Sequence, residues 1–188
     1  IHTMSVQYDK RTFTGMDMLR YYLLKTEPFD LNVVWNKIFK LDLFNGVVPV
    51  RFPKGRVQED NFTIFMLFLN ANSIVTVNEP LYYYVQRAGS IMANFTRRFM
   101  IDTIESHIYM SDYLMNHCSS VKNELQLYLL NSYVELSRRV CANKCKKEYN
   151  DLLIQYKHYV LDHTADTSHN PMWKCKQYIK RLLVKLYY

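Results

Sequence analysis

Glycine is scarce in this chain, with only 4 residues among 188. Folds that bind nucleotides need glycine where the backbone turns tightly against phosphate, so the scarcity argues against a complete domain of that kind. Cysteine is sparse too. Cys118, Cys141, Cys145 and Cys175 contain no C-x-x-C pair, and the 6 histidines are scattered, which excludes zinc-site spacing and leaves reduced thiols as the expectation. No D-x-D occurs; Leu41-Asp42-Leu43 is only an imitation. There is no apolar run of membrane-spanning length and no signal-like segment after Ile1, so the chain reads as a piece of a longer protein.

Aromatic residues, by contrast, are abundant: 16 Tyr, 10 Phe and 2 Trp, within 49% hydrophobic and 22% charged residues. That composition suits a folded chain with a real core, as one domain or two small ones. Charge is unevenly placed. From Arg138 to Tyr188 there are 11 basic residues against 4 acidic, which accounts for the whole net charge of +7.

The densest group of signals runs from Val33 to Ser90. Pro53 fixes its own backbone and biases Phe52 toward an extended conformation, and Gly55 permits a positive torsion, so Arg51 to Arg56 reads as a turn. The apolar run Asp60 to Leu69 reads as a buried helix with Glu59 and Asp60 at its first turn, where free N–H groups and the helix dipole favour acids. On residue type alone these acids form an ordinary cap. Trp35-Asn36-Lys37 opens a predicted helix of about two turns that ends at Phe44, and Trp35 by type is a core residue. Asn72–Asn78 and Leu81–Gln86 read as two short strands, paired antiparallel, before a polar turn at Arg87-Ala88-Gly89-Ser90.

Three motifs in this stretch, W-N-K at Trp35–Lys37, F-P-x-G-x-x-x-E-D at Phe52–Asp60 and Y-x-x-R-x-G-S at Tyr84–Ser90, follow one another in a familiar order. The region from about residue 10 to 95 resembles the acceptor-side part of bacterial family 2 inverting glycosyltransferases of the GT-A fold. The resemblance implies that Asp60, beside Glu59, is the general base that takes the acceptor's proton, because inversion needs a carboxylate there. It implies that Trp35, Asn36 and Lys37 line the acceptor side, with the indole offering a flat face to a sugar. It also implies that Arg87, near Ser90, meets a diphosphate with its fixed charge and planar fork of donors. The partners implied are a nucleotide-sugar donor and a glycan or lipid-linked acceptor. A divalent metal, Mg or Mn, is implied for the full-length enzyme, held outside this chain, and the isolated chain is expected to be inactive.

Beyond Ala93 the pattern is helical only. Ile101, Ile104, Ile108 and Met115 mark one helix ending near Cys118; Leu125, Leu129, Leu136 and Val140 mark a second from Val121 to Ala142; Tyr149 to Val160 marks a third. Asp162 to Pro171 is a polar loop, and Met172 to Tyr188 is an amphipathic helix carrying Lys174, Lys176, Lys180, Arg181 and Lys185. Two readings of this last helix stand: its apolar side packs on the preceding helices, or it lies on an anionic membrane surface. No nucleic-acid motif accompanies the basic residues.

The expected fold is α+β and mainly helical: residues 1–95 form the acceptor-side portion with two short strands, and 96–188 a C-terminal helical bundle. The expected location is cytoplasmic, peripheral at the inner face of the plasma membrane. The rival to the enzyme reading is a non-enzymatic helical interaction or membrane-surface module.

Overall fold

The computed structural model describes residues 10–26, 30–46, 48–77, 79, 81–85, 95–164 and 171–186, as backbone only at 171–177 and 186. The chain is α+β and mainly helical, and it divides into two compact units, Ile1–Asn94 and Phe95–Tyr188.

In the first unit, strand β1 (Thr12–Phe13) leads into helix α1 (Gly15–Leu24), and helix α2 (Ile64–Asn70) leads into strand β2 (Ile74–Val75). Thr14 caps α1, a role threonine suits just ahead of an apolar helical run. Its hydroxyl accepts from the Asp17 N–H at 3.1 Å while the Asp17 carboxylate accepts from the Thr14 N–H, satisfying two donors at once. The helix ends four residues before Pro28, with Lys25 in the left-handed region at φ 51°. Its inner side, Met18, Leu19, Tyr22 and Leu23, packs against α2, in which Ile64 to Phe68 are all buried. Gly15 lets the two helices meet. Its N–H donates to the Ala71 carbonyl at 3.1 Å, and a Cβ there would stand 1.9 Å from the Phe68 carbonyl oxygen.

The pairing of strands differs from expectation. β2 pairs antiparallel with β1, Thr12 opposite Val75 and Phe13 opposite Ile74, whereas residues 81–85 join no described ladder. Thr12–Phe13 wins because the α1–α2 contact already brings its backbone alongside: the Thr76 N–H donates to the Arg11 carbonyl at 2.9 Å, extending the pairing by one residue.

Two predicted helices are also shorter than their patterns suggest. Trp35 to Phe44 is a turn followed by a single 3-10 turn, Leu41–Phe44, and side chains of the turn reach back to carbonyls of the segment before it. The Asn36 amide donates to the Asp30 carbonyl at 3.0 Å, and the Lys37 ammonium donates to the carbonyls of Asp30 and Val33. The predicted helix from Asp60 begins instead at Ile64. Turns from Val57 to Thr63 precede it, with Gln58 held at φ 67°.

The second unit consists of α3 (Arg97–His117), α4 (Lys122–Ala142), α5 (Lys146–His163) and α6 (Pro171–Leu186), with boundaries close to those read from the apolar spacing. Its core joins Met100 and Ile104 of α3, Leu129, Leu130, Tyr133, Val134, Leu136 and Val140 of α4, Tyr149, Leu153, Tyr156 and Val160 of α5, and Val184 of α6. Some polar groups find partners within it. His107 and the Tyr156 hydroxyl share a hydrogen bond of 2.9 Å, and Arg139 lies over the rings of Phe95 and Phe99, 4.9 and 4.4 Å from their centres. At the surface, Arg97 forks onto Asp151 and also donates to the Glu148 carbonyl, tying the start of α3 to α5.

Candidate functional site

Asp60 stands at the bottom of a turn whose shape is fixed by side chains. Gly55 takes φ 72° after Pro53, as the turn reading requires, and Gln58 adopts a left-handed conformation unusual for its type. Asn61 holds that conformation in place: its N–H donates to the Gln58 carbonyl at 3.1 Å and its amide to the Gln58 side chain at 2.6 Å. The Thr63 hydroxyl, fully buried, donates to the Glu59 carbonyl at 3.0 Å. Arg56 covers the Phe62 ring at 5.4 Å.

The Asp60 backbone starts the helix, but its carboxylate does not cap it. Its carbonyl accepts from the N–H groups of Thr63 and Ile64, at 2.9 and 2.8 Å, while the carboxylate accepts at 3.1 Å from the adjacent Asn61 N–H. Thr63 takes the cap position, and no acid lies in the first turn of α2. The reading of Glu59 and Asp60 as acids in the helix's first turn is therefore corrected: they precede it by four or more residues.

Half-buried, the carboxylate is hard to ionise. Burial first, the neighbouring Glu59 next and Asp30 last push it up to about 6 against the opposing pull of the Asn61 N–H. Glu59 itself is exposed. A carboxylate that titrates near neutrality and stays partly open to solvent has the properties of a general base.

Lys37 comes into electrostatic reach of this carboxylate from the preceding segment. Burial lowers its ammonium to about 8, while Asp30 and then Asp60 draw it back up. Its three protons are directed to the carbonyls of Asp30 and Val33 and, at 2.7 Å, to the Asn36 side chain. Lys37 and Asn36 thus shape the loop itself, with Lys37 also contributing positive charge near Asp60. Asp30, which sequence reasoning missed, receives both side chains on its carbonyl and the Asn32 N–H on its carboxylate. No motif marks it.

Trp35 is exposed, 39% accessible, which corrects its reading as a core residue by type. It is not a lone flat face either. Tyr82 and Tyr84 stack against it, with ring centres 4.8 and 4.9 Å away and planes within 28° and 22°. Tyr82 and Tyr84 thus both meet Trp35, while their neighbours Leu81, Tyr83 and Val85 are exposed as well. The result is a three-ring aromatic layer in the same unit as Asp60. The sequence marked Leu81–Gln86 as an aromatic strand, but not that Tyr82 and Tyr84 would find Trp35.

A second clamp steadies the Phe-Pro turn. Arg51 donates to the carbonyls of Phe44 and Val50 and, at 2.8 Å, to the Asn45 side chain, and the Val50 N–H closes the loop on the Phe44 carbonyl at 3.0 Å. Asn70, the last residue of α2, donates to the Leu43 carbonyl at 2.9 Å, which ties this clamp to the helical frame. Arg87 and Ser90 lie outside the described residues, and so does the remainder of their loop. Among the described residues no three His, Cys, Asp or Glu side chains are grouped so as to hold a metal ion.

Curated proteins similar to this chain include two from Streptococcus pneumoniae serotype 4. Glycosyltransferase GlyA is 22% identical over 129 residues, which are 68% of this chain and 18% of its own length. Glycosyltransferase GlyG is 43% identical over 56 residues, which are 30% of this chain and 18% of its own length. The chain therefore spans less than a fifth of each. No protein-family model matches the chain, and no solved structure does either.

Proposed function

We propose that the first unit forms the acceptor side of a glycosyl-transfer site in a longer, family 2-like inverting transferase of the GT-A fold, with Asp60 as its general base. The observation that carries this reading is the state of the Asp60 carboxylate. It is raised to about 6 by burial and by Glu59, and it is left free of helix capping. The likeness to two proteins named glycosyltransferases supports the same class of reaction.

In this mechanism an acceptor hydroxyl lies against Asp60 and loses its proton to the carboxylate. Its oxygen bonds to the anomeric carbon as the bond from that carbon to the diphosphate breaks, and the diphosphate leaves with the electron pair. Attack from the opposite side inverts the configuration. Trp35, with Tyr82 and Tyr84, offers the acceptor sugar an apolar stacking surface, while Lys37 holds the loop that joins this layer to the base. Arg87 and Ser90 are assigned to the diphosphate by their motif. The donor's nucleotide, and the divalent metal that would offset its charge, are assigned to parts of the longer protein outside this chain; the described residues do not fit a metal, and no step here is routed through one.

The test is Asp60→Asn in the full-length protein, assayed with a panel of nucleotide sugars and of glycan and lipid-linked acceptors. Asn keeps the size of Asp but cannot accept the proton, so transfer should fall about 10²-fold or more with the fold retained. Transfer near the wild-type rate would remove Asp60 as the base. In a companion measurement, residues 1–188 alone should bind nucleotide sugars weakly and without metal dependence; tight, metal-dependent binding would place the donor site within this chain.

A further inference from the structure

Helix α6 is turned so that part of its apolar side faces outward. Tyr178 is 65% accessible, Ile179 52% and Leu182 40%, although these positions lie together on the helix at the spacing expected of a packed stripe. The orientation is set elsewhere. Val184 is fully buried in the core, the Arg181 guanidinium donates to the Leu161 carbonyl and the Thr164 hydroxyl at 2.9 Å each, and Lys157 donates to the Lys185 carbonyl at 3.2 Å. These contacts hold the helix to the end of α5 by its other side. Of the two readings of this helix, packing on the preceding helices holds for Leu183 and Val184, while Tyr178, Ile179 and Leu182 are left exposed.

We propose that this outward side of α6 docks on an anionic lipid bilayer. Charge is the first argument. Pro171–Leu186 carries five cations and no carboxylate, in a segment that holds the chain's entire excess of positive charge. A second copy of the chain is a poor occupant, because a two-fold contact through this face would set one basic helix against another. A nucleic acid would meet the cations but leave Tyr178, Ile179 and Leu182 in water. A bilayer surface satisfies both: phosphate headgroups receive the exposed Lys185, beside Tyr178 and Leu182 on the helix, while the three apolar side chains enter the boundary with the acyl chains. The helix lies on the surface. Among the described residues, no helix is long and apolar enough to cross a membrane.

Sedimentation of residues 1–188 with vesicles tests this, using phosphatidylcholine alone and phosphatidylcholine containing phosphatidylglycerol. Binding is expected to the anionic vesicles at low salt, to weaken at least tenfold at high salt, and to be slight on the neutral ones. Lys185→Gln should weaken it about fivefold. Ile179→Ser with Leu182→Ser should weaken it at least tenfold and leave the lipid-free melting temperature unchanged. Equal binding to both vesicle types, or none to either, overturns the proposal. It is also overturned if the serine variant melts markedly lower without lipid, or if that variant converts a dimer to a monomer on size exclusion, since the face would then be covered by protein.

Discussion

The two units solve the problem of backbone hydrogen bonding in opposite ways. In the second, long helices satisfy their own N–H and carbonyl groups, and side chains are left to fill a core that runs from Met100 to Val184. In the first, between α1 and α2, side chains do much of the backbone's work: Lys37, Asn36 and Arg51 bond carbonyls, and Thr63 reaches back to Glu59. A helix is indifferent to most single changes on its surface, whereas a loop held by named side chains fails at named positions. Loops of the second kind are where binding and catalytic groups collect.

The contrast is broken most severely by a charge in the helical core. Leu129→Asp, at a fully buried position, should cost more than about 4 kcal/mol and abolish the amide protection of α3 to α5 in hydrogen exchange, with α1 and α2 still protected. Loss of protection in both units together would show that they are one cooperative body.

Lys37→Met sharpens the other side of the comparison. It removes a donor from two carbonyls and from Asn36, so the first unit should lose about 1 to 3 kcal/mol. It also withdraws a positive charge from the neighbourhood of Asp60. In the full-length enzyme, kcat/KM should rise with pH through about 6 as Asp60 ionises, and Lys37→Met should move that limb upward. An unmoved limb would separate Lys37 from the base.

Asp60 itself should influence stability in the direction opposite to a structural carboxylate. Its folded value, about 6, stands above the ordinary 3.8, so the folded state keeps this proton to higher pH than the unfolded chain does. Its contribution is fully present below about pH 4 and lost as pH rises through 6. Asp60→Asn should therefore be the more stable form above pH 6, by about 1 to 2 kcal/mol after allowance for partial exposure, and equal to wild type near pH 4. Thermal melts across that range decide it.

The smallest effect is expected at Trp35. Trp35→Ala removes two stacked ring pairs at the surface, a loss of about 1 to 2 kcal/mol in the first unit. In the full-length enzyme it should raise KM for the acceptor and leave KM for the donor unchanged.

Legibility in the sequence followed the same division. The helices of the second unit were readable from apolar spacing because each buries a stripe, and the stripe sets the period. Thr14 was readable as a cap because capping is local chemistry. What could not be read were the contacts made across sequence: Arg51 on Phe44, Asn70 on Leu43, Trp35 on Tyr82 and Tyr84, and β1 on β2. The predicted helices at Trp35 and Asp60 were too long because apolar spacing records burial and is blind to turns such as the one held at Gln58. Spacing alone saw a cap at Asp60, which the structure places ahead of α2, and no pattern marked Asp30.

The close meeting of Gly15 with the end of α2 has an evolutionary corollary. The packed pair of helices, stitched by the Gly15 N–H and by β1 on β2, clamps both ends of the excursion that bears Trp35, Lys37 and Asp60. Chain closure is thereby supplied by the frame, and lengthening the excursion adds only slowly to the entropy cost, about 0.6 kcal/mol for each doubling. Insertions or replacements at its outer turns can accumulate without unseating α1 from α2. The excursion can thus vary in sequence and length while the α1–α2 frame stays unchanged.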